Sequence, residues 1–239
     1  ALQPEVRSAL LQSMSAPGLV DSLGSHDVLG GSIPYSQLFG LSHGYATVSE
    51  MVDFIQRASD ADGAHAPSRP VGQQQAASCS ERTFTTTDVD ARPCSAEASS
   101  PPPYAFDPLL VRRWAGLNGL ELRDLVPATM RKLFGVSREA HSQFILGAAG
   151  TGAPLHYHCD AVNMAVYGAK RWIMLPADEP VYSRLHPSTY RPETPWLRRR
   201  HVCEQLPGDA MFVPRQWAHA VLNPETSLAY AIEFDGVYC

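Results

Sequence analysis

GTGAPLHYHCDAVNMAVYGAKRWIMLP, residues 150–176, sets short apolar and alternating runs between glycine and proline. That pattern predicts β-strands rather than helices. Within it His156, His158 and Asp160 occupy alternate positions, so on an extended strand all three point to one side. Two imidazoles and a carboxylate on one face form the facial triad that suits non-haem Fe(II), with positions left open for oxygen chemistry. The plain alternative is a solvated strand face that happens to carry histidine and aspartate.

Outward from this stretch the same pattern continues. SQFILGAAG (142–150), EQLPGDAMFVP (204–214), RQWAHAVLN (215–223) and SLAYAIEF (227–234) are short apolar or alternating runs bounded by Gly, Pro, Asn or Asp. Several such strands at close spacing predict a mainly β fold, a sandwich or barrel, of which the jelly roll is the closed double-sheet form. His219 lies far along the chain from His156, yet strands distant in sequence become neighbours in such a barrel. Convergence of the three groups is therefore an expectation. Lys170 falls on the next strand among apolar neighbours, where a buried charge needs a partner such as the far carboxylate of an oxo acid; its alternative is an ordinary edge-strand lysine.

Upstream, LQPEVRSALLQSM (2–14) and TVSEMVDFIQRA (47–58) have helical spacing of apolar residues, and Thr47 with Glu50 reads as a capping box. GSIPYSQLFG (31–40) between them reads as a loop or short strand. Residues 59–103 are rich in Ser, Ala, Pro and Gln and poor in large apolar side chains, the composition of a mobile or disordered insertion inside the domain. PYAFDPLLVRRW (103–114) resumes an apolar pattern, and ATMRKLFG (128–135) reads as helix. The whole of 1–239 is expected to form a single domain with these N-terminal helices flanking it.

A chain of 239 residues with 44% apolar content has enough material for a full core. Its net charge of −5 argues against nucleic acid as a partner, and Arg198-Arg199-Arg200 reads as solvated surface. No run approaches the roughly 18 apolar residues that span a bilayer. The first residue is Ala, as in a trimmed form from which a targeting signal has been removed, so compartment stays open. Five cysteines without CxxC spacing argue against structural zinc; Cys79 and Cys94 flank a short polar segment that a loop disulfide can close in an oxidising compartment.

The stretch 150–176, followed by PGDAMFVPRQWAHAVLN (207–223), resembles the two halves of a JmjC domain, the cupin-type double-stranded β-helix of Fe(II)- and 2-oxoglutarate-dependent oxygenases. The likeness is to the small JmjC-only, hydroxylase-like branch, and GSIPYSQLFG and PPPYAFD (101–107) resemble upstream elements of that family. The resemblance implies His219 as the distal metal ligand and Lys170 as the partner of the 2-oxoglutarate 5-carboxylate. It implies Asn163 as a residue bordering the cosubstrate, Asn223 as a second polar contact, and Pro214 and Trp217 as shapers of the turn and pocket wall. The proximal ligands depart from the usual His-x-Asp. One register takes His156 and His158, giving His-x-His; another takes His158 and Asp160; a third takes His156 and Asp160. A shift of two residues keeps the same strand face, so side-chain direction does not decide, although the interval from His156 to Lys170 is nearer the family's spacing. Ala153 stands where many relatives carry a cosubstrate-binding Thr, with Thr151 two residues earlier.

The resemblance further implies that 2-oxoglutarate is decarboxylated to succinate while a C–H bond of a protein or peptide substrate is hydroxylated. Alternatives are lysine or arginine demethylation by the same iron chemistry, and a non-catalytic JmjC fold that serves as a binding or scaffolding module. Residues 178–202 lie between the halves of the site and are expected to rim the pocket. His26, His43, His65, His141, His186 and His201 lack this context and read as surface or local hydrogen-bonding groups. The chain ends soon after its last strand, and a monomer is the expectation.

Overall fold

A computed structural model describes residues 2–31, 34, 43–63, 104–134, 141–179, 181–191 and 193–234. Two short helices open it, α1 (Pro4–Ser13) and α2 (Ala16–Leu23), the second begun by Ser15, whose hydroxyl accepts from the Gly18 N–H at 3.2 Å. The apolar run read as one helix is thus followed, after a break at Met14 and Ser15, by a second. The strands β1 (Asp27–Gly31) and β2 (His43–Thr47) form an antiparallel pair that leads into α3 (Val48–Gly63). The capping box at its start is present: the Thr47 N–H donates to Glu50 Oε2 at 2.8 Å, and the Glu50 N–H to Thr47 Oγ1 at 3.2 Å. Because α3 runs to Gly63, the first five residues of 59–103 are helical, and the rest of that segment, with Cys79 and Cys94, lies outside the described residues. Most of GSIPYSQLFG also lies outside them.

The remaining elements are β3 (Tyr104–Asp107), α4 (Leu110–Leu117), α5 (Ala128–Phe134), β4 (His141–Gly147), β5 (Gly152–His156), β6 (Ala161–Tyr167), β7 (Lys170–Leu175), β8 (His201–Gln205), β9 (Ala210–Val213), β10 (Ala218–Leu222) and β11 (Ser227–Glu233). They build two antiparallel sheets. The larger has the order β2-β1-β3-β4-β11-β6-β9, and the smaller β5-β10-β7-β8. Consecutive strands alternate between sheets from β5 to β7 and from β9 to β11, the winding of a double-stranded jelly roll.

Period-two alternation decides what each sheet face does. On β11, Leu228, Tyr230 and Ile232 join Phe144, Val162 and Met164 in a core beneath the helices, where Leu10, Leu19, Val111 and Trp114 are buried. Ala229 and Ala231, the intervening residues, face the other sheet with Tyr104 and Ile145. The helices therefore cover one side of the larger sheet and leave its small-residue side turned toward the smaller sheet, and between those faces is the cavity described next.

Candidate metal centre

Strand β10 is the middle of the site. Its alternate residues Ala218 and Ala220 pack outward with Leu155 and Leu175, whereas His219 and Val221 line the space between the sheets. His219 pairs in register with His156 on β5, and with Met174 on β7. The predicted strand does not continue to Asp160. β5 ends at His156, and residues 157–160 carry the chain across from the smaller sheet to β6 of the larger one. Alternation is lost in that crossing, so the three polar residues do not share a strand face.

His156, His158 and His219 come together. Each offers one ring nitrogen, and the three nitrogens lie within 4.8 Å of one another. The rings of His156 and His219 are 4.3 Å apart, and those of His158 and His219 4.7 Å. Backbone carbonyls set the tautomers. The Nδ1 of His156 is 2.7 Å from Pro154 O, that of His158 2.7 Å from Cys159 O, and that of His219 3.0 Å from Trp217 O. A carbonyl oxygen can only accept, so each Nδ1 carries a hydrogen, and in the neutral ring the Nε2 lone pair is the one left for a metal. Crowding reinforces this neutral state. Burial and the neighbouring His158 depress His156 to about 4, and burial with both neighbouring histidines holds His219 well below the ordinary imidazole value.

Asp160 stands outside the cluster. Its Oδ1 accepts the Arg215 N–H at 2.6 Å, and its carbonyl accepts the Phe234 N–H at 2.8 Å, so it fastens the β9–β10 turn and the end of β11 to the crossing. The same turn is tied by the Gln216 N–H, which donates to His158 O at 3.0 Å from a residue at φ 61°. Pro214 and Trp217 close it, the Trp217 N–H donating to Pro214 O at 3.1 Å. Cys159 is disulfide-bonded and Cys203 is free.

Lys170 begins β7 on the same inner face and is 1% exposed. Its Nζ donates to Asn223 Oδ1 at 3.0 Å and to Ser227 Oγ at 3.1 Å. Among the described residues no carboxylate pairs with it, and burial depresses it to about 7. Asn223 does not line the cavity; it is held from behind, its Nδ2 donating to Thr151 Oγ1 at 3.0 Å, while the Thr151 hydroxyl donates to Ala148 O at 2.6 Å. Thr151 thus steadies the lysine's partner, and Ala153 is the residue that lines the cavity. Asn163, on the facing sheet, also lines it, and its buried Oδ1 has no hydrogen-bond partner among the described residues.

Several contributors gave no signal of their own in the sequence. Ser227 opens a strand like many serines. Gln205 holds Trp172 from behind, accepting from its Nε1 at 2.9 Å and donating to Asn163 O at 2.9 Å. Gln143 lines the cavity and donates to the Glu233 carboxylate. Each is found only through the pairing of β4 with β11, of β7 with β8, or of β6 with its neighbours.

A jelly roll whose inner face carries three convergent imidazoles and a buried lysine has the architecture of a cupin-type fold, with a ligand set that could hold a metal. Residues 128–238 match the family model of the JmjC domain. The chain is 30% identical over 153 residues to the arginine-specific demethylase JMJ22 of Arabidopsis thaliana, covering 54% of this chain and 30% of that one. To the human JmjC domain-containing protein 8 it is 32% identical over 94 residues, 36% of this chain and 34% of that one. To the bifunctional arginine demethylase and lysyl-hydroxylase psr-1 of Caenorhabditis elegans it is 30% identical over 115 residues, 38% of this chain and 29% of that one. The matches thus span about a third of the length of these curated relatives. Among the described residues no helix is long and apolar enough to cross a membrane.

Proposed function

We propose that this chain is an Fe(II)- and 2-oxoglutarate-dependent oxygenase that hydroxylates a protein side chain. The observation that carries the reading is the shared cavity: three histidine ring nitrogens at one place and, lining the same space, an ammonium that pairs with no carboxylate among the described residues. Both groups fit what they would hold. Three neutral imidazoles suit a borderline divalent ion and leave coordination positions open. Lys170 has three donors, of which Asn223 and Ser227 use two, so one remains for a carboxylate. The Asn163 amide faces the cavity with an unused end, and rotation about its last torsion presents either its oxygen or its NH2 to a ligand.

His156, His158 and His219 would hold the metal, and Lys170 the far carboxylate of the oxo acid. When bound, that pair supplies oxygen activation coupled to decarboxylation, one oxygen atom leaving in succinate and the other entering a C–H bond. The chain's own residues do the positioning. The carbonyls of Pro154, Cys159 and Trp217 fix the imidazole orientations. Trp172 and Val221 give the cavity part of its apolar lining. Asn223 and Ser227 hold the ammonium in place before the ligand arrives, which lowers the ordering cost of binding.

A second reading uses the same site. Hydroxylation of an N-methyl carbon gives an unstable carbinolamine that releases formaldehyde, and two of the relatives are named as arginine demethylases. The test is succinate formation from 2-oxoglutarate with Fe(II) and ascorbate, alone and with arginine, lysine and methylated peptides. Wild type is expected to form succinate, and His219→Ala and Lys170→Met to lose it by about a hundredfold or more, the scale for groups that act as a unit. Formaldehyde from methylated peptides would select demethylation. Metal binding without succinate under every condition would overturn the oxygenase reading and leave a binding module.

A further inference from the structure

The cavity contains a metal-ligand set with no negative charge. None of the described residues that line it is acidic, and the only ionised one is Lys170. The two carboxylates on its borders are committed elsewhere, Asp160 to the Arg215 N–H and Glu233 to the Gln143 amide. The tautomers fit the same picture, since an Nδ1–H given to a carbonyl leaves the Nε2 of each ring as its metal-binding atom, and a histidine that ligates through Nε2 adds no negative charge.

On the oxygenase reading above, we infer that His158, standing at a proximal ligand position that a carboxylate can also fill, makes metal retention conditional on the oxo acid: divalent metal and dicarboxylate bind this site as a pair. The argument is electrostatic. A divalent ion beside protonated Lys170 brings three positive charges into a space that no described lining side chain compensates, and burial of uncompensated charge is costly. A ligand set with one carboxylate would cancel part of that charge before any cosubstrate arrives. Among the described residues that line the cavity nothing compensates it, and the 2-oxoglutarate dianion would do so, one carboxylate toward the metal and the other toward Lys170. The linkage is reciprocal, so metal must raise 2-oxoglutarate affinity by the same factor as 2-oxoglutarate raises metal affinity.

Any chelating cosubstrate couples to its metal to some extent, so the deciding comparison is between ligand sets. Mn(II), which supports binding without turnover, would be titrated calorimetrically into wild type, His158→Asp and His156→Asp, with and without saturating 2-oxoglutarate. In wild type 2-oxoglutarate is expected to tighten Mn(II) by about tenfold or more, within the range of measured coupling between sites. Either aspartate variant is expected to bind Mn(II) more tightly than wild type in the absence of 2-oxoglutarate, and to show a smaller coupling factor. The variants report independently, so misfolding of one, read by circular dichroism, leaves the other to decide. An unchanged coupling factor in the folded aspartate variants overturns this inference while leaving the oxygenase reading intact, whereas equal Mn(II) affinity with and without 2-oxoglutarate in wild type overturns both, because a chelating cosubstrate must couple to its metal. If neither ligand binds wild type, the oxygenase reading falls and this inference falls with it.

Discussion

Lys170 shows how a single side chain carries both a cost and a function. Burial depresses it to about 7 from 10.5, so between those values the unfolded chain binds a proton that the folded chain does not. Stability of the ligand-free protein therefore rises with pH from about 7 toward 10.5, and the cost of burying the charge is felt in full below about 7. Urea melts across that range should show this rise in wild type and lose it in Lys170→Met. Ligand binding has the opposite trend, because only the ammonium form holds a carboxylate. The 2-oxoglutarate Kd is expected to be level below pH 7 and to weaken above it, by up to about tenfold per unit, with proton uptake on binding that calorimetry in buffers of different ionisation heat would detect. A Kd that does not change between pH 6 and 9 would remove Lys170 from the cosubstrate site. At this scale the sequence was informative about residue types and silent about register. His156, His158, Lys170 and His219 were all legible as candidates, and so was Asp160. What separates Asp160 from the others is the end of β5 at His156 and the Arg215 N–H that its carboxylate accepts. Neither follows from a two-residue spacing that preserves side-chain direction.

At the scale of elements, the strands with alternating apolar residues were readable, and so was α3 with its Thr47 and Glu50 box. The pairings were not. β5 and β10 meet across a long interval of sequence, and hydrophobic alternation says which face is buried without saying against what. The closeness of that pairing rests on Gly152. A Cβ there would sit 2.1 Å from Val221 O, a backbone atom that cannot move aside without shifting β10. Gly152→Ala is therefore expected to destabilise the protein by at least about 2 kcal/mol, the range for overpacking that shifts backbone, and to separate His156 from His219. Denaturant unfolding would give the first effect and Mn(II) affinity the second. Gly44→Ala, where an added Cβ meets nothing within 4 Å, is the matched control expected to leave metal binding unchanged. If Gly152→Ala kept wild-type stability and affinity, β5 and β10 would not be as tightly apposed as described.

At the scale of the molecule, the site is a junction between two sheets. The imidazoles of His156 and His219 and the ammonium of Lys170 belong to the smaller sheet, while Asn163 and Gln143 belong to the larger, and His158 lies on the crossing between them. The helices stabilise only the far side of the larger sheet, through the core around Trp114, Phe144 and Tyr230. Nothing in that core depends on metal, so the ligand-free protein should fold, with the smaller sheet held by its own apolar contacts. Ligands that engage both sheets add their binding free energy to the native state alone. With metal and 2-oxoglutarate at about a hundred times their Kd, each linkage is worth about 2.7 kcal/mol, which for a chain of this size raises Tm by about 5–10 °C. Scanning calorimetry with Mn(II) and 2-oxoglutarate together should show that rise. Mn(II) alone should show much less of it, because the charge it introduces is uncompensated. His219→Ala should show none with either, while retaining the cooperative transition of the apolar core; a rise that survived in that variant would place the ligands somewhere other than between the sheets.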